Sequence, residues 1–277
     1  MGSHSSVALL SRRYQPSFLI RTTLVLHLCC LVGFVMMPVY GWMILILLVG
    51  NHVILTLAGL WPRSRLLGPN VVRWTAGEEN AVYLTFDDGP DPEVTPVILD
   101  LLDRNEHKAT FFLIGDRASR HPELLREILD RGHGIGNHSH QHGYGFAMHS
   151  IRGYVDELKQ AQDVFQLLGG VTPRYFRAPF GIRSPLLEPA LCRSGLWLVS
   201  WTRRGFDTRC KDADLVLARL CKDLLPGDIL LLHDIETGQG TNGKGSLSLD
   251  VLPRLLETLD HKRLKSRAMP GWSRNDH

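Results

Sequence analysis

At 277 residues the chain has room for one large domain, or for a smaller domain with an accessory segment. Its formal charge of +3 is unevenly placed: residues 1–80 hold six Arg against two Glu, while residues 81–277 hold 25 Lys and Arg against 26 Asp and Glu. The basic character therefore belongs to the N-terminal flank. With no basic stripe interleaved with aromatic residues, it excludes a nucleic-acid partner.

Residues 22–62 contain no Asp, Glu, Lys or Arg, and within them residues 22–37 and 43–60 are nearly continuous apolar runs. Each lies near the lower limit of the roughly 20 residues that a helix needs to cross about 30 Å of hydrocarbon. Pro38, Tyr40, Gly41 and Trp42 combine a helix breaker, a flexible residue and two interfacial aromatics. They predict a tight turn, and residues 1–62 read as a transmembrane helical hairpin, with a single long anchor as the other reading. A cleaved signal peptide would be followed by soluble sequence rather than a second apolar run. His27, Asn51 and His52 lie inside the runs. Asn51 and His52 suit hydrogen bonds between the helices or a place near an interface.

Residues 63–80 carry Pro, Gly and charge and read as a juxtamembrane linker. A regular alternation follows. Strands are predicted at 82–86, 110–114, 133–137, 175–178, 196–201 and 228–232. Helices are predicted at 95–104 with Pro96 in the first turn, at 122–131 closed by Gly132, and at 150–168 closed by Gly169-Gly170. Further helices are predicted at 185–193, 213–225 and 251–259. Strands alternating with helices imply a parallel sheet, either open or closed into a (β/α) barrel with a strand missing or degenerate. Residues 81–269 form this domain, and residues 270–277 read as a tail. Cys29 and Cys30 sit in an apolar run, and Cys192, Cys210 and Cys221 have neither disulfide-framework nor zinc-knuckle spacing, which leans toward a reducing compartment.

The polar residues fall where strands end. Asp87 and Asp88 follow one strand, His138 and His142 another, Arg177 closes a third, Asp207 lies past a fourth, and His233-Asp234 ends a fifth. In a parallel barrel those ends share one rim, so scattered residues become one cluster. Adjacent carboxylates point in different directions, and one can bind a metal while the other faces substrate. Two imidazoles four residues apart share a face if they lie on one helical turn, as two ligands of one metal require. His140 would then face elsewhere. His4, His107, His121 and His149 read as histidines of the surface.

Thr85-Phe86-Asp87-Asp88-Gly89-Pro90, His138-Ser139-His140-Gln141-His142, Arg177-Ala178-Pro179-Phe180-Gly181 and Leu230-Leu231-Leu232-His233-Asp234 resemble, in order and spacing, the motifs of the polysaccharide deacetylase family. That family includes chitin, chitooligosaccharide and peptidoglycan N-acetylglucosamine deacetylases, and the resemblance covers residues 81 to about 264. It implies a distorted, incomplete (β/α) barrel and a hydrolase that removes acetyl groups, N-acetyl above all, from a carbohydrate. It implies further that Asp88, His138 and His142 hold one divalent metal, usually zinc, with a place left open for water. Asp87 would be the general base, His233 the acid that protonates the departing amine, and Arg177 the residue that orients Asp87. A backbone N–H near Phe180 would help hold the oxyanion. Asp207 would pair with His233.

One motif departs from the family pattern. Trp201 and Asp207 fit it, but Arg204 stands where an Asp is common and Thr208 where a Trp is common. The departure implies an altered network around Arg177 and an acetyl pocket without one aromatic wall. Two other readings compete with a deacetylase: a hydrolase of cyclic amides or ureides on the same fold, and a membrane-tethered glycan-binding module with a decayed site. The anchor argues against the first and the intact site residues against the second. Arg12, Arg13 and Arg21 precede the first apolar run, and Arg63, Arg65 and Arg73 follow the second. Two spans with both basic flanks retained inside place the catalytic domain at the cytoplasmic face, where it would meet a lipid-linked sugar. One span would place it outside, facing the cell-envelope polysaccharide.

Overall fold

The structure is a computed structural model that describes residues 12–75, 79–238, 240 and 245–270. In its N-terminal segment, α1 (Phe18–Met36) and α2 (Gly41–Leu60) run for 19 and 20 residues and are joined by a 3-10 turn at Pro38–Tyr40. At about 1.5 Å per residue, each is long and apolar enough to cross a membrane. Apolar side chains such as Leu24, Leu31, Leu45 and Ile54 point outward, while the Thr23 hydroxyl donates to the Asn51 side-chain oxygen between the helices at 3.0 Å. His52 makes no such cross-helix hydrogen bond. Its ring meets the Leu48 carbonyl of its own helix at 2.9 Å and lies edge-on to His27.

The strands are β1 (Ala81–Asp87), β2 (Ala109–Leu113), β3 (Gly134–Asn137), β4 (Tyr175–Phe176), β5 (Trp197–Leu198), β6 (Arg203–Arg204), β7 (Ile229–His233) and β8 (Lys265–Ser266). They form one curled sheet in the order β5-β4-β3-β2-β1-β7-β6, with β8 pairing at the start of β1, and all strand pairs are parallel. The helices between them are α3 (Thr95–Arg104), α4 (Gly115–Arg120), α5 (Pro122–Asp130), α6 (Ile151–Gly169), α7 (Leu187–Arg193), α8 (Ala213–Cys221) and α9 (Leu247–His261).

Strand alternation divides the core in two. Leu84, Phe86, Leu230 and Leu232 face the helices and pack with Ile98 and Leu102 of α3 and Val251, Leu255 and Leu259 of α9. The opposite parity, Tyr83, Phe112, Tyr175, Ile229 and Leu231, fills the inside of the barrel with Trp201. Thr85, Asp87, Arg177 and His233 continue that inward parity at the strand ends. The core thus aims the site residues inward.

Two strands and one helix lie outside the sequence expectation. β6 and β8 are two residues each, too short to show alternation, and α4 has the polar sequence Gly-Asp-Arg-Ala-Ser-Arg with no apolar stripe. The segment expected as a strand at 196–201 pairs only at Trp197–Leu198, then continues in a bridge between Val199 and Val71. Residues 63–75 are therefore more than a connector. Val71 pairs beside β5, the Arg73–Asp228 bridge lies at the start of β7, and Trp74 joins the interior core. His107, expected on the surface, is fully buried: its Nδ1 accepts from Ser266 N at 3.0 Å. His4 and residues 271–277 of the expected tail lie outside the described residues. Pro270 is described, and its carbonyl accepts from the Tyr175 hydroxyl.

Candidate active site

The register of β1 and β7 sets Asp87 directly beside His233 at the ends of neighbouring strands. Asp87 is 4% exposed, and Arg177 Nη1 donates to its Oδ1 at 2.6 Å. Arg177 uses four of its five N–H groups: it also donates to the Thr85 hydroxyl at 2.8 Å, the Ser200 carbonyl at 3.0 Å and the Val199 carbonyl at 3.4 Å. Its guanidinium lies 4.1 Å from the centre of the Phe112 ring. Burial pulls its pKa down, yet the adjacent Asp87 supports the charge.

Asp88 turns away from Asp87 because its backbone takes a left-handed φ of 78°, which Asp tolerates better than most residues. The turn that follows needs glycine: a Cβ on Gly89 would sit 2.0 Å from Asp234 Oδ2. Asp234 is buried and accepts from Gly89 N at 3.1 Å and from the Thr95 hydroxyl at 2.7 Å. Burial pushes its carboxyl well above the usual carboxylate range.

His138 and His142 converge by a route that the spacing does not suggest. They lie on an irregular loop, not a helical turn, with Ser139 at φ 66° and His142 at φ 55°. Side chains hold that loop: Asn137 Oδ1 accepts from Ser139 N at 2.9 Å, and the Ser139 hydroxyl from His142 N at 3.0 Å. Glu157 on α6 accepts from His140 N and Gln141 N, both at 3.1 Å. His140 faces away, against Gly115 of α4.

Both Nε2 atoms, of His138 and of His142, lie 3.2 Å from Asp88 Oδ1, and the three ligand atoms are all within 4.8 Å of one another. His138 Nδ1 donates to the Arg177 carbonyl at 2.8 Å, which leaves the Nε2 lone pair facing the cluster. Burial and the neighbouring His138 push His142 down to about 4, so this imidazole is neutral at pH 7. Burial also opposes charge on His138, but Asp87 and Asp88 outweigh it and raise its pKa. Asp88, despite its burial, is held well below the carboxylate range by His138, His233 and His142. Two imidazole nitrogens and one ionised carboxylate, converging in a place that favours positive charge, fit one divalent cation.

His233 Nδ1 donates to Asp207 Oδ1 at 2.9 Å, and Asp207 Oδ2 accepts from His233 N at 2.8 Å and from the Ser248 hydroxyl at 2.7 Å. Burial alone would lower the His233 pKa; Asp207, aided by Asp88 and Asp87, pushes it up to about 9. Asp207 itself is lowered, since His233 overcomes the cost of its burial.

Phe180 has a left-handed φ of 59° and its ring is 41% exposed, lying 4.7 Å from His142 and stacked at 5.3 Å on Tyr144. Its backbone N–H donates to no acceptor among the described residues. Arg204 stacks over Trp201 at 5.2 Å and Phe206 at 4.9 Å and takes no part in the bonding of Arg177. Thr208 is half-buried. The supports that sequence reasoning missed are Thr95, Asn137, Glu157 and Ser248, and it named Thr85 and Asp234 without assigning them a supporting role. Thr85 shares the parity of Asp87 and was open to inference from the strand pattern; Glu157 and Ser248 lie on distant helices with no local signal.

The polysaccharide deacetylase family model matches residues 75–196. A peptidoglycan-N-acetylglucosamine deacetylase of Bacillus cereus is 32% identical over 195 residues, covering 69% of this chain and 67% of the relative. A chitooligosaccharide deacetylase of Sinorhizobium fredii is 35% identical over 198 residues, covering 69% and 90%. Among solved structures, a peptidoglycan N-acetylglucosamine deacetylase in complex with 4-naphthalen-1-yl-N-oxidanyl-benzamide superposes with a TM-score of 0.66 at 27% identity, over 73% of this chain and 91% of the other. A family 4 carbohydrate esterase from Streptomyces lividans in complex with acetate gives 0.62 at 28% identity, over 71% and 98%.

Proposed function

The chain belongs to the polysaccharide deacetylase family, and from that membership we propose that it hydrolyses acetyl groups, N-acetyl above all, from a cell-envelope or lipid-linked carbohydrate. The observation that carries this reading is the placement of Asp87 and His233 on adjacent strands beside the Asp88, His138 and His142 group. A base and an acid flanking one cation site is an arrangement suited to metal-assisted amide hydrolysis.

Asp88, His138 and His142 would hold one divalent ion, zinc by the chemistry of two imidazoles and a carboxylate. Such an ion, when bound, polarises the amide carbonyl and lowers the pKa of the attacking water. Asp87 takes the proton of that water as general base, held in place by its ion pair with Arg177. The free N–H of Phe180 stabilises the developing oxyanion. His233, kept protonated by Asp207, delivers the proton without which the amine cannot leave. Tyr144 and Phe180 offer the sugar an aromatic face.

The same proposal gives α1 and α2 a membrane-spanning role, with Arg12, Arg13, Arg21, Arg63 and Arg65 retaining the catalytic side in the cytoplasm. Acetate release from acetylated peptidoglycan fragments, chito-oligosaccharides and N-acetyl glycolipids, measured with the zinc-loaded full chain, tests the reading. No acetate from any of the three classes would overturn it.

A further inference from the structure

Arg204 is a guanidinium beside the site that the mechanism does not use. It sits on β6 beside β7, half-buried, and no hydrogen bond or ion pair holds it among the described residues. Its Nε is buried without a partner. Asp87, Asp207 and Asp88 act on its charge, yet none of them pairs with it. What positions it is ring stacking, on Trp201 and on Phe206. Buried arginines are normally paired. A guanidinium fixed by its faces, with its donors left open, is preorganised for an acceptor that arrives from outside.

The helices are pinned to the rim on which the site opens. Arg183 N donates to the Gly59 carbonyl at 3.2 Å, and the Arg183 guanidinium donates to the Ser64 carbonyl. The Ser200 hydroxyl donates to the Pro62 carbonyl at 2.6 Å, and the Ser17 hydroxyl to the Leu66 carbonyl at 2.6 Å. The approach is close: a Cβ on Gly59 would lie 2.3 Å from the Arg183 carbonyl oxygen, and one on Gly181 would lie 2.9 Å from the Pro62 ring. Gly181 adjoins Phe180. Arg63, at the end of α2, reaches the Thr202 carbonyl at 3.2 Å, two residues from Arg204. The two apolar helices therefore leave the domain beside the active site, not from its far end.

We propose that the substrate is an N-acyl sugar joined through phosphate to a membrane lipid, and that Arg204 binds the phosphate while the docked helices keep the mouth at the bilayer surface. This rests on the deacetylase reading and names the substrate class for it. The test uses the full chain, zinc-loaded, in lipid nanodiscs. It compares kcat/KM for acetate release from a polyprenyl-diphosphate-linked N-acetylglucosamine, the soluble sugar 1-phosphate, and the neutral methyl glycoside. The lipid-linked sugar should exceed the soluble phosphate, and the phosphate the methyl glycoside, by about tenfold at each step. Arg204→Ala and Arg204→Asp should erase the charged-over-neutral ratio, through KM more than kcat, while Arg204→Lys retains part of it. Equal rates on charged and neutral sugars in the parent, or an equal loss on all three in Arg204→Ala with Arg204→Lys no better, would overturn the role of Arg204. Equal rates on lipid-linked and soluble phosphates would overturn the membrane-bound substrate. Acetate release from chito-oligosaccharides alone would leave the deacetylase reading standing and sink this one; silence on every substrate would sink both.

Discussion

Asp207→Asn tests the proposed role of His233 as the acid. The carboxylate accepts three hydrogen bonds, from His233 Nδ1, His233 N and the Ser248 hydroxyl. Asparagine keeps the shape but has one acceptor oxygen and no charge. The His233 pKa, pushed up to about 9 from an ordinary 6.5, represents about 3 kcal/mol in favour of the imidazolium, at about 1.4 kcal/mol per pH unit. Neither partner is screened by solvent, with side chains 8% and 1% exposed.

The sign follows from which form is active. The protonated acid persists in the parent until the pH rises through about 9. Without Asp207 it should be lost in the ordinary histidine range, so the alkaline limb moves down by about two pH units and the rate at pH 8 falls about thirtyfold. Stability moves in the same sense. A His raised in the folded state contributes fully below the unfolded value of 6.5 and loses that contribution as pH rises through about 9. Asp207, lowered in the folded state, contributes above the usual carboxylate range and loses this as the pH falls. The deficit in melting temperature of Asp207→Asn should therefore be largest near pH 5–6 and shrink above about pH 9. The assays are the pH–rate profile of acetate release and an NMR titration of the His233 ring. An alkaline limb that stays in place, with the ring titrating as in the parent, refutes the coupling.

The full chain should bind about one divalent ion, and His138→Ala or His142→Ala should each abolish tight binding by metal analysis after dialysis. Stoichiometric metal in the double variant would contradict the ligand set. Asp87→Asn should retain the metal and lose about 10²–10⁴-fold in rate, and parent-like turnover would remove Asp87 from the base role. Gly89→Ala should cost about 1–3 kcal/mol in denaturant unfolding, because its Cβ would enter the Asp234 carboxylate; an unchanged midpoint would show that the turn can relax. A reporter fused after His277 should be active on the cytoplasmic side, and an exported reporter would reverse the topology.

What the sequence makes legible is whatever is periodic or adjacent. The alternation of Tyr83, Thr85 and Asp87 against Val82, Leu84 and Phe86 announces both the strand and the inward face, and strand ends in a parallel sheet announce the rim. That is sufficient to bring Asp87, Arg177 and His233 together before any coordinates exist. The His138 and His142 pair is legible as a pair, but the reason for its convergence is not. A helical turn would do it, yet the loop uses two left-handed residues, Ser139 and His142, which are stabilised by Asn137 and by Glu157 from the next helix. Left-handed φ at a non-glycine residue leaves no trace in composition.

The same blindness covers the joint between the helices and the barrel, and here it alters the functional argument. Read from composition, residues 63–80 are polar, contain Pro and Gly, and separate an apolar segment from a folded one, which is the profile of a connector. The contacts that tie residues 59–72 to the domain run largely to carbonyls of Gly59, Pro62, Ser64 and Val72, and carbonyls are common to every residue. Val71 and Trp74 complete the interior core as single residues, without a period to betray them. A flexible tether would leave the catalytic rim free to search solution or wall polymer. A joint in which the Gly59 backbone meets the Arg183 carbonyl and Gly181, next to Phe180, meets the Pro62 ring instead holds the apolar helices at a fixed place beside the site. On the proposed membrane-spanning reading, substrate choice follows from what the bilayer presents beside the site, where Arg204 is the open charge.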